Sequence, residues 1–123
     1  MRKAYFVNIS NHNSKDWGDK QTCAAGLYGE IVDIPFPYIN PRSNSEDIDR
    51  LVDYYFEKVM NYAPAAVMLQ GEFVFTFRLV NRLKAVEINV LASSTERKVT
   101  EELMPDGTVR RSSFFEFIAF REY

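Results

Sequence analysis

The sequence predicts one three-layer α/β domain over residues 1–123, with a mostly parallel four-stranded sheet and a C-terminal β-hairpin. Three observations lead there. Short apolar, β-rich runs alternate with helix-length segments of 3.6-residue periodicity. The connections between them are short, which implies right-handed crossovers and parallel strands. Near the end, two extended runs flank Pro105-Asp106-Gly107, a turn tripeptide.

Ala4–Ile9 reads as a central strand, followed by the turn formers Ser10-Asn11-His12-Asn13-Ser14. Trp17 to Tyr28 reads as a helix, with Trp17, Ala24, Ala25 and Tyr28 near one face and Gly29 as its stop. Ile31–Ile34 is the second strand, ended by Pro35 and Pro37. Ser43-x-x-Glu46 has the form of a capping box, and Ser45 is an alternative cap. Behind it Ile48, Leu51, Val52, Tyr55 and Val59 make an apolar stripe at helical spacing, and Pro64 closes that helix.

Ala65–Leu69 carries no polar residue, as expected of a parallel strand covered on both faces. Gln70-Gly71-Glu72 turns the chain into a helix over Phe73 to Ala85, apolar around most of its circumference. So wide an apolar surface, with the aromatic content of 15%, predicts a homodimer built on this helix. Glu87–Ala92 is the fourth strand and Ser93-Ser94-Thr95-Glu96-Arg97 its following loop. Lys98–Leu103 and Ser113–Phe120 form the terminal hairpin.

Composition excludes several classes. A net charge of −2 offers no field to gather nucleic acid, so duplex DNA binding is not expected. The single Cys23, followed by Ala24 and Ala25, reads as a packed helix residue and rules out an internal disulfide. One histidine and no carboxylate cluster at ligand spacing argue against a metal site, and no cofactor is implied. No apolar stretch approaches a membrane span, and the Met1–Val7 start is too short for a signal-peptide core. The expected location is the cytoplasm.

In parallel sheets ligands sit outside the carboxyl ends of the strands, where strand order reverses. That rule selects Ser10–Ser14, Gln70–Glu72 and Ser93–Arg97, all short and polar. His12 is the one imidazole, able to donate to phosphate or act as acid or base near neutral pH, or else simply a solvated loop residue. Gly71 allows close backbone approach to a phosphate, or a plain tight turn. Glu72, in the first turn of a helix, suits the helix dipole; alternatively it accepts from a ribose hydroxyl or acts as a base. Ser93, Ser94 and Thr95 offer hydroxyls, and Arg97 offers a guanidinium to phosphate or to Glu96 or Glu101. GxGxxG, P-loop and GxSxG patterns are absent, so dinucleotide, P-loop and hydrolase-elbow chemistry are set aside.

These pieces (Asn8-Ile9-Ser10-Asn11-His12, Gln70-Gly71-Glu72, Ser93–Arg97 and the hairpin) resemble the CRISPR-associated Rossmann-fold group and its small stand-alone relatives, the ring nucleases. The resemblance covers nearly the whole chain, in element order rather than in a long motif. It implies a Rossmann-like domain in a homodimer that binds a cyclic oligoadenylate in type III CRISPR defence. In the nuclease members, ribose 2′-hydroxyls attack the adjacent phosphates without a metal. Carried over, Ser10, Asn11 and His12 would touch ribose or phosphate, Gly71 would allow approach, and Arg97 would steady phosphate charge. This chain has few basic residues at the strand ends, unlike a polyanion site. Three readings follow: a nuclease, a non-enzymatic sensor or sequestering module, and another nucleotide or nucleoside enzyme using Glu72.

Overall fold

The computed structural model describes residues 3–123; Met1 and Arg2, part of the short charged start, lie outside them. The order is β1 (Tyr5–Ile9), a 3-10 turn (Ser14–Asp16), α1 (Asp19–Gly26), β2 (Glu30–Asp33), α2 (Ser45–Met60), β3 (Ala66–Leu69), α3 (Phe73–Ala85), β4 (Val90–Leu103) and β5 (Val109–Glu122). The sheet has five strands in the order β2-β1-β3-β4-β5. The first three pairings are parallel and β4–β5 is antiparallel.

This overturns the expected four-stranded, mostly parallel Rossmann-like sheet with an appended hairpin. The sheet is mixed and five-stranded, and its longest strands belong to the hairpin. The physical reason lies at Ser93–Arg97, expected as a loop. Those residues pair with Phe115–Phe120 across the sheet, so β4 runs on unbroken to Leu103. Hydroxyl-bearing residues bound a loop only when their backbone lacks a partner strand, and here β5 supplies one.

The alternation of side chains fixes the layers. Phe6, Ala66, Met68 and Leu91 pack with Ala25 on the α1 face. Val7, Ile9, Val67, Leu69 and Val90 pack with α2 and α3 on the other face. Much of α3's wide apolar surface is thereby used: Phe75, Leu79, Val80 and Leu83 are buried against α2 and the sheet, while Phe73 and Phe77 stay exposed. Arg78 and Arg82 tie α3 to Asp49 and Asp53 of α2.

Several local expectations are corrected. The α2 cap is Asn44, not Ser43 or Ser45: Asn44 and Asp47 form the reciprocal capping box. Trp17–Tyr28 is not one helix; the chain makes the 3-10 turn first, and α1 ends before Tyr28. Gly29 does not stop it but starts the approach to β1, where a Cβ would lie 2.4 Å from the Ala4 carbonyl oxygen. Cys23 is exposed rather than packed, because α1 presents Ala25 to the sheet. No helix among the described residues is long and apolar enough to cross a membrane.

Candidate functional site

At the carboxyl ends of β1 and β3, beside the first half of β4, a cleft of about 770 Å³ opens on the α1 face. Its floor follows from the two-residue period of the strands. Phe6, Asn8 and Ser10 share one face of β1; Met68 and Gln70 continue it from β3; Leu91, Ser93 and Thr95 continue it on β4. Ser10, Met68, Gln70, Ser93 and Thr95 therefore meet in one lining, although they come from three separate segments. One wall is the Asn11–Gln21 segment with His12, Trp17 and Lys20; the other is β5 with Phe114–Phe117.

A β-bulge shapes the second wall. Ser94 pairs with Ala119 and Thr95 with Phe117, leaving Ile118 as the extra residue. The bulge puts Phe117 and Phe120 on the same face despite their three-residue spacing, with ring centroids 4.9 Å apart. Phe120 packs on Phe6, and Phe6 meets Trp17 edge-on. Trp17 is thus held by aromatic contact while still lining the cleft.

The His12 loop is pinned by a buried polar network. Asn8, 2% exposed, donates its side-chain amide to the His12 carbonyl (2.9 Å) and to Asp33 Oδ1 (2.8 Å). The single Ser10 hydroxyl proton is shared between Asn8 Oδ1 (2.8 Å) and the His12 carbonyl (3.1 Å), and Ser10 Oγ accepts from the His12 N–H. Asp33 also accepts from the Ser14 N–H and hydroxyl. Burial opposes ionisation of Asp33, but hydrogen bonds from Ser14 and Asn8 outweigh it and hold its carboxyl below the usual range. Sequence reasoning misses Asp33 altogether; Asn8 and Ser14 stand inside the segments Asn8–His12 and Ser10–Ser14 without this role, and Asn8 carries the signal of a polar residue in an otherwise apolar strand.

Across the cleft, Gln70 Oε1 accepts from both the Ser93 N–H (2.8 Å) and hydroxyl (2.7 Å). Gln70 therefore joins β3 to β4 just past Met68 and Leu91, where their direct pairing ends. Its side-chain NH₂ has no partner among the described residues.

The other nominated residues lie elsewhere. Glu72 is the N-cap of α3, its two carboxylate oxygens accepting from the Val74 and Phe75 N–H groups at 2.8 Å each. Gly71 faces the Phe36 ring, where a Cβ would come within 2.3 Å, so its smallness serves packing. Ser94 alternates away from the cleft lining, and Arg97 lies farther out along β4, exposed and beyond it. Arg97 pairs with neither Glu96 nor Glu101; those take Lys98 and Arg111. Among the described residues no group of three or more His, Cys, Asp or Glu is placed to hold a metal.

Fold and site together define an α/β protein with an aromatic-walled cleft at the carboxyl edge of its parallel strands. The chain belongs to the uncharacterized protein MJ1673 family, whose sequence model matches residues 4–121. No curated protein matches it.

Proposed function

We propose that this cleft binds a nucleotide-type ligand, engaging base and sugar more than phosphate. The carrying observation is the convergence of polar groups from the ends of β1 and β3 and from within β4 on one aromatic-walled cleft of small-molecule size. Trp17, Phe115 and Phe117 supply apolar faces for a base. The Gln70 NH₂, Thr95 hydroxyl, Asn11 amide and His12 imidazole supply donors and acceptors around it.

Charge narrows the class. The lining carries Lys20 together with the acidic Asp16, Asp19 and Glu116, so a ligand with few phosphates suits it better than a dense polyanion. A cyclic oligoadenylate, the ligand implied by the resemblance, fits only with its phosphates turned toward Lys20 and His12. In this reading the chain acts as a sensor or sequestering module, Glu72 has its carboxylate committed to the helix cap, and Arg97 makes no contact.

A second reading, metal-independent cleavage, is favoured by one specific observation. The sole histidine has its backbone N–H and carbonyl held by Ser10 and Asn8 while its residue lines the cleft. Such positioning is what general acid–base help to a 2′-hydroxyl attack requires.

Trp17 is the only tryptophan, so intrinsic fluorescence reports directly on the cleft. Titration with adenosine monophosphate and cyclic tetraadenylate is expected to give saturable quenching, and inorganic phosphate none. A flat response to every adenine-bearing ligand overturns the binding proposal. Product analysis of cyclic tetraadenylate in EDTA then separates the two readings: turnover that falls about 10²–10⁴-fold in His12→Ala supports cleavage. An intact ring supports binding alone.

A further inference from the structure

From Ala92 to Leu103, β4 pairs only with β5, because its pairing with β3 ends at Leu91. The hairpin therefore leaves the sheet as a two-stranded ribbon about 40 Å long. Isolated ribbons of this kind are marginal in water, and long bare edges invite pairing. The two edges of this ribbon differ. Between Glu96 and Glu102, β4 carries Glu96, Arg97, Lys98, Glu101 and Glu102, charges that guard an edge. Opposite that stretch β5 carries only the charges of Arg110, Arg111 and Glu116; the Ser112-Ser113-Phe114-Phe115 run between them has no charge, and Phe114 and Phe115 are 52% and 72% exposed.

We propose that the β5 edge pairs with the β5 of a second copy of this chain, antiparallel, about a two-fold axis at Ser113. The backbone decides which positions are available. The Met104 N–H donates to the Thr108 carbonyl at one end of the ribbon, and the Tyr123 N–H donates to the Val90 carbonyl at the other. Counting by twos from Thr108, the backbone groups of Arg110, Ser112, Phe114 and Glu116 turn toward β4. Those of Val109, Arg111, Ser113, Phe115 and Phe117 turn outward. An axis at Ser113 pairs outward residues with outward residues along the whole stretch, giving about ten inter-chain backbone hydrogen bonds.

Charge then selects the register. With the axis at Ser113, Arg110 of each chain stands directly opposite Glu116 of the other, in a non-hydrogen-bonded pair where side chains approach most closely. Axes at Arg111, Ser112, Phe114 or Phe115 set no arginine against Glu116. Both groups have capacity for the contact. Arg110, although across from Glu102, makes no ion pair among the described residues. Glu116 lies directly opposite Glu96, and the two share Lys98, at 3.8 Å and 3.4 Å respectively. The two-fold axis stands perpendicular to the joined sheet, so both clefts open on its same face, with β5 of each copy as the inner wall.

Light scattering at micromolar concentration is expected to give twice the 14.3 kDa chain mass. Glu116→Arg and Arg110→Glu are each expected to give monomers, and the double exchange R110E/E116R to restore the dimer. A monomeric wild type, a dimer that survives both single reversals, or a double variant that stays monomeric overturns the proposal. Amide exchange on the wild type tests the same edge without depending on variants that fold. The outward N–H groups of Arg111, Ser113 and Phe115 should be protected as strongly as those of Ser112 and Phe114. Fast exchange confined to the three outward amides overturns the pairing.

Discussion

Replacing Asn8 by alanine removes one buried side chain that makes three hydrogen bonds and does not itself line the cleft. Two of those bonds are neutral, to the His12 carbonyl and from Ser10, and the third goes to the Asp33 carboxylate. Neutral bonds contribute about 0.5–1.5 kcal/mol each and a bond to a charged group about 1.5–3 kcal/mol. Every partner keeps another bond: the His12 carbonyl to Ser10, Asp33 to Ser14, and Ser10 to the His12 peptide. The loss should therefore fall toward the lower part of the sum, about 3 kcal/mol, and lower the melting temperature by roughly 10–15 °C. Urea unfolding at pH 7 measures it. The pH dependence carries a second check. Asp33 has a depressed folded pKa, so its contribution is present above the unfolded value and is lost as pH falls through the folded one. Asn8→Ala removes one donor that holds that pKa down, so less stability remains to be lost on acidification. The gap between wild type and variant should narrow below about pH 4. A loss under about 1 kcal/mol at pH 7, or a gap unchanged down to pH 3, would refute the assignment of Asn8 as the tie between Asp33 and the His12 loop.

Other substitutions test neighbouring assignments. Glu72→Ala should lower stability by about 1–2 kcal/mol through loss of the α3 cap and leave Trp17 quenching intact; lost quenching with an unchanged melting temperature would make Glu72 a ligand group instead. Gly71→Ala should cost about 1–3 kcal/mol, since its Cβ meets the Phe36 ring, and most of that cost should vanish in a Phe36→Ala background, measured as a double-mutant cycle. Glu87, beyond the end of α3, holds φ at 64°, where a side chain is disfavoured. Glu87→Gly should accordingly raise stability by about 1 kcal/mol, read from the urea midpoint, and a drop would show that the Glu87 side chain makes a stabilising contact.

Patterns of near neighbours in the chain settle much of this protein. The apolar stripe from Ile48 to Val59 places α2, the unbroken Ala66–Leu69 run marks a strand covered on both faces, and Phe73–Ala85 is helical over its whole expected length. Each depends on a period of 3.6 or 2 that a single segment carries within itself. Of the three polar segments selected by the rule about strand termini, Ser10–Ser14 and Gln70–Glu72 do follow strand ends, whereas Ser93–Arg97 lies within β4. What lay beyond reach depends on which strand stands beside which. Ser93–Arg97 reads as a loop until β5 arrives to pair with it, and only that pairing makes the hairpin a long ribbon. The bulge at Ile118, which turns Phe117 toward the cleft, exists only as a mismatch between two strands. Alternation on a strand admits Ser93 and Thr95 to the cleft and turns Ser94 away, and a loop assignment hides that rule. Glu72 and Arg97 carry chemistry suited to a site, but tertiary structure directs one to a helix cap and the other out along an exposed ribbon. A residue type states what a side chain can do; its neighbours across the sheet decide what remains for it to do.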